Sequence, residues 1–289
     1  MTMEKIQFSC ADFTFPLLSH LNVLKLIQMM GFSAVDLGVF EGRSHLIPGE
    51  IAKNPEKEGK RLLQDLDFFG LNVADVFLQP GEAPSVAAVN TPLHSVKDRN
   101  RVLFMRMLDF TNTLGCRHMT GLPGVAHPGE SSTNDWHRAV EETMWRFEKA
   151  KSAGITYAVE PHIGSILPDV ESTVKFIKDC PGLGITLDYG HFIYVGLTNE
   201  SVHPLINYAT HFHARGGAKG KLQTIVKENT IDFRSIIHKF LESSYSGYIC
   251  LEYVYQDWEG CNRTDNVSET ILLYEHLKKQ LTSVDPVSI

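Results

Sequence analysis

Short apolar or β-branched runs alternate with longer amphipathic stretches along the whole chain. The short runs predict eight strands, near Ile6–Cys10, Ala34–Leu37, Val73–Phe77, Arg117–Thr120, Thr156–Glu160, Gly184–Asp188, His211–Ala214 and Tyr248–Glu252. The stretches between them have helical periodicity, which is clearest over Asp98–Leu114, from about Asp135 to Ala153, from Asp232 to near Ser243, and from roughly Val267 to Gln280.

A glycine precedes several of these strands, as in GFSAVDL, GLNVADVF, GITYAVE and GLGITLD. A glycine that ends a helix just before a buried strand is typical of parallel α/β proteins. Eight such units predict an α/β fold, a single (β/α)8 TIM barrel that forms one domain over residues 1–289. An open doubly wound sheet is the alternative, and the absence of GxGxxG and GxxxxGK[ST] loops disfavours it.

Composition narrows the class of protein. The 289 residues are 43% hydrophobic and 21% charged, with a net charge of −7, so the chain is globular and has no overall attraction to nucleic acid or anionic membranes. The five cysteines form no CxxC pair, which disfavours both a disulfide framework and a zinc knuckle. With neither a signal-peptide pattern nor a run of about 20 apolar residues, we expect a cytoplasmic protein.

Acidic and imidazole side chains mark the ends of the last four predicted strands. Glu160 ends YAVE, Asp188 ends GITLD, His213 lies in HFHA, and Glu252 ends YICLE. The carboxyl ends of barrel strands converge on one mouth, so these four side chains should meet. Three carboxylates and one imidazole suit one divalent ion such as Mn²⁺, Mg²⁺ or Co²⁺. Burying them together without a cation would be costly, which supports a metal site.

Further polar residues lie next to these positions and are candidates for binding a substrate. His211 is two residues before His213 and so faces the same side of its strand. His162 follows Glu160 by two residues, and His191 is expected in a loop above the barrel. Arg215 is suited either to clamping a substrate oxygen or to a salt bridge with a neighbouring carboxylate.

The motifs VEPHIGS, TLDYGHF, HFHARGGAKGKLQ, TIDF and GYICLEYV resemble those of the xylose isomerase-like barrels, described broadly as sugar phosphate isomerases and epimerases. The resemblance implies that Glu160, Asp188, His213 and Glu252 bind one divalent ion, with Mn²⁺ favoured over Mg²⁺, Co²⁺ and Zn²⁺. As in related ketose 3-epimerases, Glu160 and Glu252 would also exchange the substrate proton, and His191 would contact the substrate. The family's arginine matches Arg215 only approximately, because the spacing here is shorter.

The resemblance implies a metal-dependent isomerase or epimerase that acts on a ketose or keto-sugar. It would abstract a proton next to a carbonyl and pass through a metal-stabilised enediolate. The alternative is a lyase or dehydratase of the same superfamily, which eliminates a β-substituent from a keto-sugar or keto-cyclitol. This includes the deglycosylation of 3-keto C-glycosides, with His162 or His118 as the base for the aglycone. The motifs leave open the sugar, its phosphorylation and the choice among these reactions.

Two other classes of protein are alternatives to these enzymes. Apurinic-site endonucleases share the barrel, but a DNA-binding face should be basic, and this chain is acidic. A partner-dependent role, with the mouth closed by another chain, is the second. We therefore expect a small-molecule carbohydrate as substrate, and either a homo-oligomer or a subunit of a hetero-complex.

Overall fold

The computed structural model describes residues 6–283, in which eight parallel strands close into a barrel. The strands are β1 (Ile6–Ala11), β2 (Ala34–Phe40), β3 (Asn72–Gln79), β4 (His118–Gly121), β5 (Thr156–Val159), β6 (Gly184–Asp188), β7 (Ala209–Ala214) and β8 (Gly247–Leu251). They pair in chain order, and β1 closes the barrel against β8, from Ile6 opposite Gly247 to Cys10 opposite Leu251. The predicted (β/α)8 barrel is confirmed.

At least one helix follows every strand. The helices are α1 (His20–Met29), α2 (Pro48–Ile51), α3 (Pro55–Phe69), α4 (His94–Thr113), α5 (Ser132–Ser152), α6 (Val170–Asp179), α7 (Tyr189–Tyr194), α8 (Asn199–Val202), α9 (Phe233–Glu242) and α10 (Asn266–Ser283). Helix α4 begins four residues earlier than the periodicity predicts, at His94 rather than Asp98. Within residues 6–283, no helix combines the length and apolar character needed to cross a bilayer.

Local sequence signals fix where the helices begin and end. The side chain of Asp232 accepts a hydrogen bond from the Ser235 amide at 3.0 Å and so caps α9, as the sequence predicts. Gly70 and Gly154 follow α3 and α5 with φ of 64° and 73°, a conformation that glycine adopts without a steric cost. The chain therefore turns directly from helix into strand, and all eight strands point their carboxyl ends at one mouth.

The inside of the barrel is polar, unlike the apolar core between strands and helices. The Ser9 hydroxyl donates to Asp36 Oδ1 at 2.6 Å, and the hydroxyls of Thr120 and Thr186 lie 2.6 Å apart. All four residues are fully buried. Barrel interiors are more often filled by branched apolar side chains. The polar layer here lies beneath the mouth and supports the side chains above it.

A substitution at Gly38 in β2 would show how tightly the side chains at the mouth are packed. A Cβ atom at this position would lie 2.4 Å from Cδ1 of Phe13 and 2.9 Å from Cε2 of Phe40. We expect Gly38→Ala to lower the free energy of unfolding by about 1–3 kcal/mol, because both rings must move. Gly49→Ala is the control, because its Cβ would meet no heavy atom closer than 3.6 Å. Urea unfolding of both variants measures the effect, and equal stabilities would contradict this account of the packing.

Candidate active site

The structure brings together the four residues that the sequence marks as metal ligands. Glu160 follows β5, Asp188 ends β6, His213 lies in β7, and Glu252 follows β8, all at most 5% exposed. Nδ1 of His213 is 2.6 Å from Glu160 Oε1 and 3.4 Å from Glu252 Oε1. One oxygen each of Glu160 and Asp188 and a ring nitrogen of His191 lie within 4.8 Å of one another. Glu160 therefore lies close both to His213 and Glu252 and to Asp188 and His191.

Arg215 is the cation nearest to these carboxylates. Its Nη2 donates to Asp188 Oδ2 at 2.5 Å, and its Nη1 lies 3.8 Å from Glu252 Oε2. Of the two roles considered from sequence, the structure therefore contains the salt bridge. Burial alone would lower the pKa of Arg215, but Asp188 and Glu252 keep it above its ordinary value. One guanidinium faces three carboxylates, so an excess of two negative charges remains when all three are ionised and His213 is neutral.

The proton affinities in the cluster follow from this excess of negative charge. Burial raises the pKa of Glu252 to about 8, an effect that His213 and Arg215 oppose and the other two carboxylates reinforce. Burial also raises the pKa of Asp188. For Glu160 burial acts in the same direction, but His213 and Arg215 hold its pKa below the ordinary value. The glutamates in turn hold the pKa of His213 well above its usual range, against the effect of burial.

The cluster has the properties of a site for one divalent cation. Glu252 Oε2 is buried and has no hydrogen-bond partner among the described residues, and such an atom calls for a ligand. The donors are carboxylate oxygens and one imidazole nitrogen, which suit a hard to borderline ion. A charge of +2 would also balance the excess negative charge. The residues of the cluster therefore fit a divalent metal ion, which Glu160, Asp188, His213 and Glu252 would hold.

His191 lies in helix α7 and not in the loop that the sequence predicts. Asp188 explains the difference, because its Oδ1 accepts the Gly190 amide at 2.6 Å and so starts a helix directly after β6. The buried ring of His191 has Nε2 at 3.1 Å from Arg215 Nη2. Burial, and then the charge of Arg215, hold the pKa of His191 well below its ordinary value. His191 is therefore neutral at the mouth.

His162 is a second neutral imidazole beside the cluster. Its Nδ1 donates to the Ile163 carbonyl at 2.8 Å, which leaves a lone pair on Nε2. That Nε2 is buried without a hydrogen-bond partner among the described residues. Burial lowers the pKa of His162, and its ring packs edge-on to the ring of His191 at 5.9 Å. An unpaired basic nitrogen is thus available next to Glu160.

His211 does not lie in the carboxylate cluster, although the sequence marks it as a substrate-binding candidate. It faces the barrel interior like His213, but one layer deeper, where its Nε2 lies 2.5 Å from Asp36 Oδ2. The same Asp36 oxygen is 3.7 Å from His213 Nε2. This geometry favours a supporting role for His211. Sequence reasoning overlooked Asp36, although a carboxylate within a fully buried strand is itself a signal, because burying a charge is costly.

Three phenylalanines form an aromatic wall beside the cluster. The Phe40 ring packs edge-on against Phe13 at 4.9 Å and against Phe77 at 5.1 Å between ring centroids. Phe77 in turn lies 5.8 Å from the ring of His213. We define Phe13, Phe40 and Phe77 as the aromatic wall. It gives the mouth an apolar side next to His213.

Arg43 adds a positive charge that sequence reasoning missed, because it lies in an irregular loop after β2. Its guanidinium carbon lies 4.7 Å above the Phe40 ring, and its Nη2 donates to Gln79 Oε1 at 2.6 Å. Its Nε is buried without a hydrogen-bond partner among the described residues. Burial lowers the pKa of Arg43, while Glu252 and Glu160 oppose this effect. The side chain is therefore suited to contact a substrate oxygen.

A cavity of about 870 Å³ lies at the opposite end of the barrel and contains none of the four clustered residues. His118 lines this cavity, with Nδ1 2.7 Å from Asp75 Oδ1 and Nε2 3.0 Å from Thr210 Oγ1. The amino-terminal face of such barrels serves stability, whereas chemistry occurs at the carboxyl-terminal face. His118 is therefore misplaced for the aglycone base considered from sequence, and His162 remains for that role.

A (β/α)8 barrel with buried carboxylates and a histidine at its carboxyl-terminal mouth defines the class of protein. The sequence model of the xylose isomerase-like TIM barrel family matches residues 24–278. The chain belongs to this family. A comparison with curated protein sequences found no significant match.

Solved structures with the same fold include enzymes of two kinds. D-psicose 3-epimerase with D-tagatose, from Clostridium cellulolyticum H10, superposes with a TM-score of 0.76 at 13% identity, covering 95% of this chain and 99% of that one. The probable 3-DHS dehydratase from Bacillus anthracis gives 0.69 at 15% identity, covering 93% and 98%. A xylose isomerase-like TIM barrel protein from Mycobacterium smegmatis, in complex with magnesium, gives 0.73 at 16%, covering 96% and 97%.

The raised pKa of Glu252 makes the stability of the metal-free protein depend on pH. Because its pKa is about 8 in the folded state against an ordinary 4.5, the folded state holds a proton that the unfolded state releases. The contribution of Glu252 to the free energy of unfolding in EDTA should therefore fall as pH rises from 4.5 to 8, by about 1.4 kcal/mol per pH unit at most.

Glu252→Gln should remove this contribution and give a shallower decline than the wild type, because the amide does not titrate and only other shifted groups, such as His213, still contribute. Glu148→Gln, which changes an exposed carboxylate on α5, is the control and should keep the decline of the wild type. Urea unfolding at several pH values in EDTA measures the slopes. If the wild type and Glu252→Gln have parallel profiles, Glu252 does not hold the extra proton.

Proposed function

We propose that the protein is a divalent-metal-dependent isomerase or epimerase of a ketose or keto-sugar. One observation carries the proposal: two glutamates, Glu160 and Glu252, approach the same nitrogen of His213 from different strands, at 2.6 and 3.4 Å. Two carboxylates on either side of one binding position are suited to taking a proton from a substrate carbon and returning one elsewhere. The fold of the chain is shared with D-psicose 3-epimerase, an enzyme that is an epimerase of a ketose by its name, and this likeness supports the proposal.

The two glutamates would divide the proton transfer between them. One takes the proton from the carbon next to the carbonyl, and the other returns a proton to the opposite face or to the neighbouring carbon. The first outcome is epimerisation and the second is aldose–ketose isomerisation. The opposite pKa shifts of Glu160 and Glu252 in the metal-free site show that the two carboxylates have different environments, and the face of the substrate that each one meets would decide which takes the proton.

The other residues would orient the ligands and the substrate. Arg215 holds Asp188 in place, and neutral His191 is suited to contact a substrate hydroxyl. Arg43 would contact a more distant oxygen, and the aromatic wall would exclude water from one side. Glu160, Asp188, His213 and Glu252 would hold the divalent ion, with Mn²⁺ favoured. When bound, the ion would polarise the substrate carbonyl and stabilise the negative charge that develops beside it.

Hydrogen exchange at the substrate carbon tests the proposal directly. With a panel of free and phosphorylated ketoses in D₂O, we expect NMR to detect deuterium at the carbon next to the carbonyl. Glu160→Gln and Glu252→Gln should each reduce this exchange by about 10²–10⁴-fold, and EDTA should abolish it. Glu148→Gln should leave it unchanged. Full exchange in metal-free protein would contradict the metal-dependent mechanism.

A lyase of the same family is the second candidate, and His162 is the observation that favours it. The unpartnered, buried Nε2 of His162 supplies a basic group beyond the two glutamates. An epimerase does not need this group, whereas elimination from a keto-sugar whose leaving group is an acidic aglycone does, because a base must take the proton of the aglycone hydroxyl as the bond to the sugar breaks. The 3-keto C-glycosides are one such class of substrate.

His162→Gln separates the two reactions. For a lyase, it should slow the elimination from a β-substituted keto-sugar by about 10²–10⁴-fold and leave deuterium exchange next to the carbonyl intact. The rise in ultraviolet absorbance of the unsaturated product measures elimination. His238→Gln is the control, because His238 is an exposed histidine on α9. An unchanged rate of elimination in His162→Gln would exclude this residue as the acid or base.

A further inference from the structure

A second cluster of possible metal ligands lies outside the carboxylate site. Asp12 follows β1, His20 is the first residue of α1, and His45 lies in the loop between β2 and α2. One oxygen of Asp12 and one nitrogen from each histidine lie within 4.8 Å of one another. We define these three residues as the rim cluster. It connects the first two loops at the carboxyl-terminal mouth.

The Asp12 carboxylate is fixed before any ligand binds. It is fully buried, and its Oδ1 accepts the Gly38 amide at 2.8 Å. Its Oδ2 is 3.0 Å from His20 Nε2, close to the separation of about 3.3 Å between two donors on a tetrahedral zinc ion. The imidazole of His20 is 17% exposed, so the cluster is reached from solvent.

The ring of His45 is oriented as in histidines that bind a metal ion. Its Nε2 lies 2.8 Å from the Leu18 carbonyl oxygen, which only accepts, so Nε2 carries the hydrogen and Nδ1 carries a lone pair. Nδ1 is buried and has no hydrogen-bond partner among residues 6–283. Histidines that bind metals commonly donate their other ring N–H to a backbone carbonyl in this way. The ring stacks on His20, with centroids 5.0 Å apart.

We propose that the rim cluster binds a borderline divalent transition-metal ion of the Zn²⁺ class. Two imidazoles and one carboxylate suit such an ion and leave a coordination position open to solvent. The site is separate from the oxygen-rich carboxylate cluster and shares no residue with it. Its ion would tie the β1–α1 loop to the β2–α2 loop. Because Asp12 immediately precedes Phe13, it would also hold the aromatic wall in position.

Zn²⁺ stoichiometry tests the proposal. The full-length protein is stripped with EDTA, dialysed against Zn²⁺, and its bound metal measured by atomic emission. His45→Gln and His20→Gln should each bind one equivalent less than the wild type. His238→Gln, which removes an exposed histidine on α9, should bind as much as the wild type. Circular dichroism identifies a variant that has not folded, in which case the other histidine variant decides.

The result separates this site from the proposed active site. If both sites bind Zn²⁺, the wild type holds two equivalents, His45→Gln holds one, and Glu252→Gln loses the other. If only the rim cluster binds, the wild type holds one and His45→Gln holds none, which supports the rim site even though the active-site metal fails. The proposal is overturned if His45→Gln and His20→Gln both retain every equivalent that the wild type binds.

Discussion

The mouth of this barrel depends on the contact between His213 and the two glutamates on either side of it. Glu160 and Glu252 come from β5 and β8 and meet at one imidazole nitrogen contributed by β7. Buried carboxylates at such separations repel one another strongly unless a positive charge or protons compensate them. In the metal-free site Arg215 supplies one positive charge and His213, whose pKa is raised, supplies another, while Glu252 holds a proton because its pKa is raised. A divalent ion would replace this compensation and leave both glutamates free for proton transfer.

The polar layer beneath the mouth determines the orientation of the His213 ring. Asp36 Oδ2 lies 2.5 Å from His211 and 3.7 Å from Nε2 of His213, and Ser9 holds the other oxygen of the same carboxylate. The ring of His213 therefore lies between Asp36, which is deeper in the barrel, and the two glutamates at the mouth. This arrangement orients the ring, as carboxylates behind metal-binding histidines commonly do. It explains why the interior is polar where such barrels are usually apolar.

The sequence was sufficient for the fold and for the four clustered residues, because both depend on local signals and one geometric rule. Helix-ending glycines and β-branched runs mark the strands, and parallel closure converts strand ends into a shared position. Other contacts depend on partners far apart in the chain: His211 meets Asp36 across 175 residues. The helix that carries His191 begins where it does because Asp188 caps its amino terminus. The spacing of Asp188 and His191 in the sequence does not reveal this cap. Arg43 lies in an irregular loop, where periodicity has no predictive value.

The two histidines of the HFH motif in β7 are two residues apart and therefore lie in different layers, one at the mouth and one in the polar layer beneath it. Adjacent inward positions on a parallel strand are separated by about 6.6 Å along its axis, so His213 reaches the mouth and His211 stays below it. Both histidines depend on Asp36, and Asp36 is held by Ser9 from the neighbouring strand. A substitution in this lower layer would therefore change the orientation of His213 without touching a substrate. The orientation of His213 is thus governed partly from β1 and β2, the two strands whose following loops also form the rim cluster.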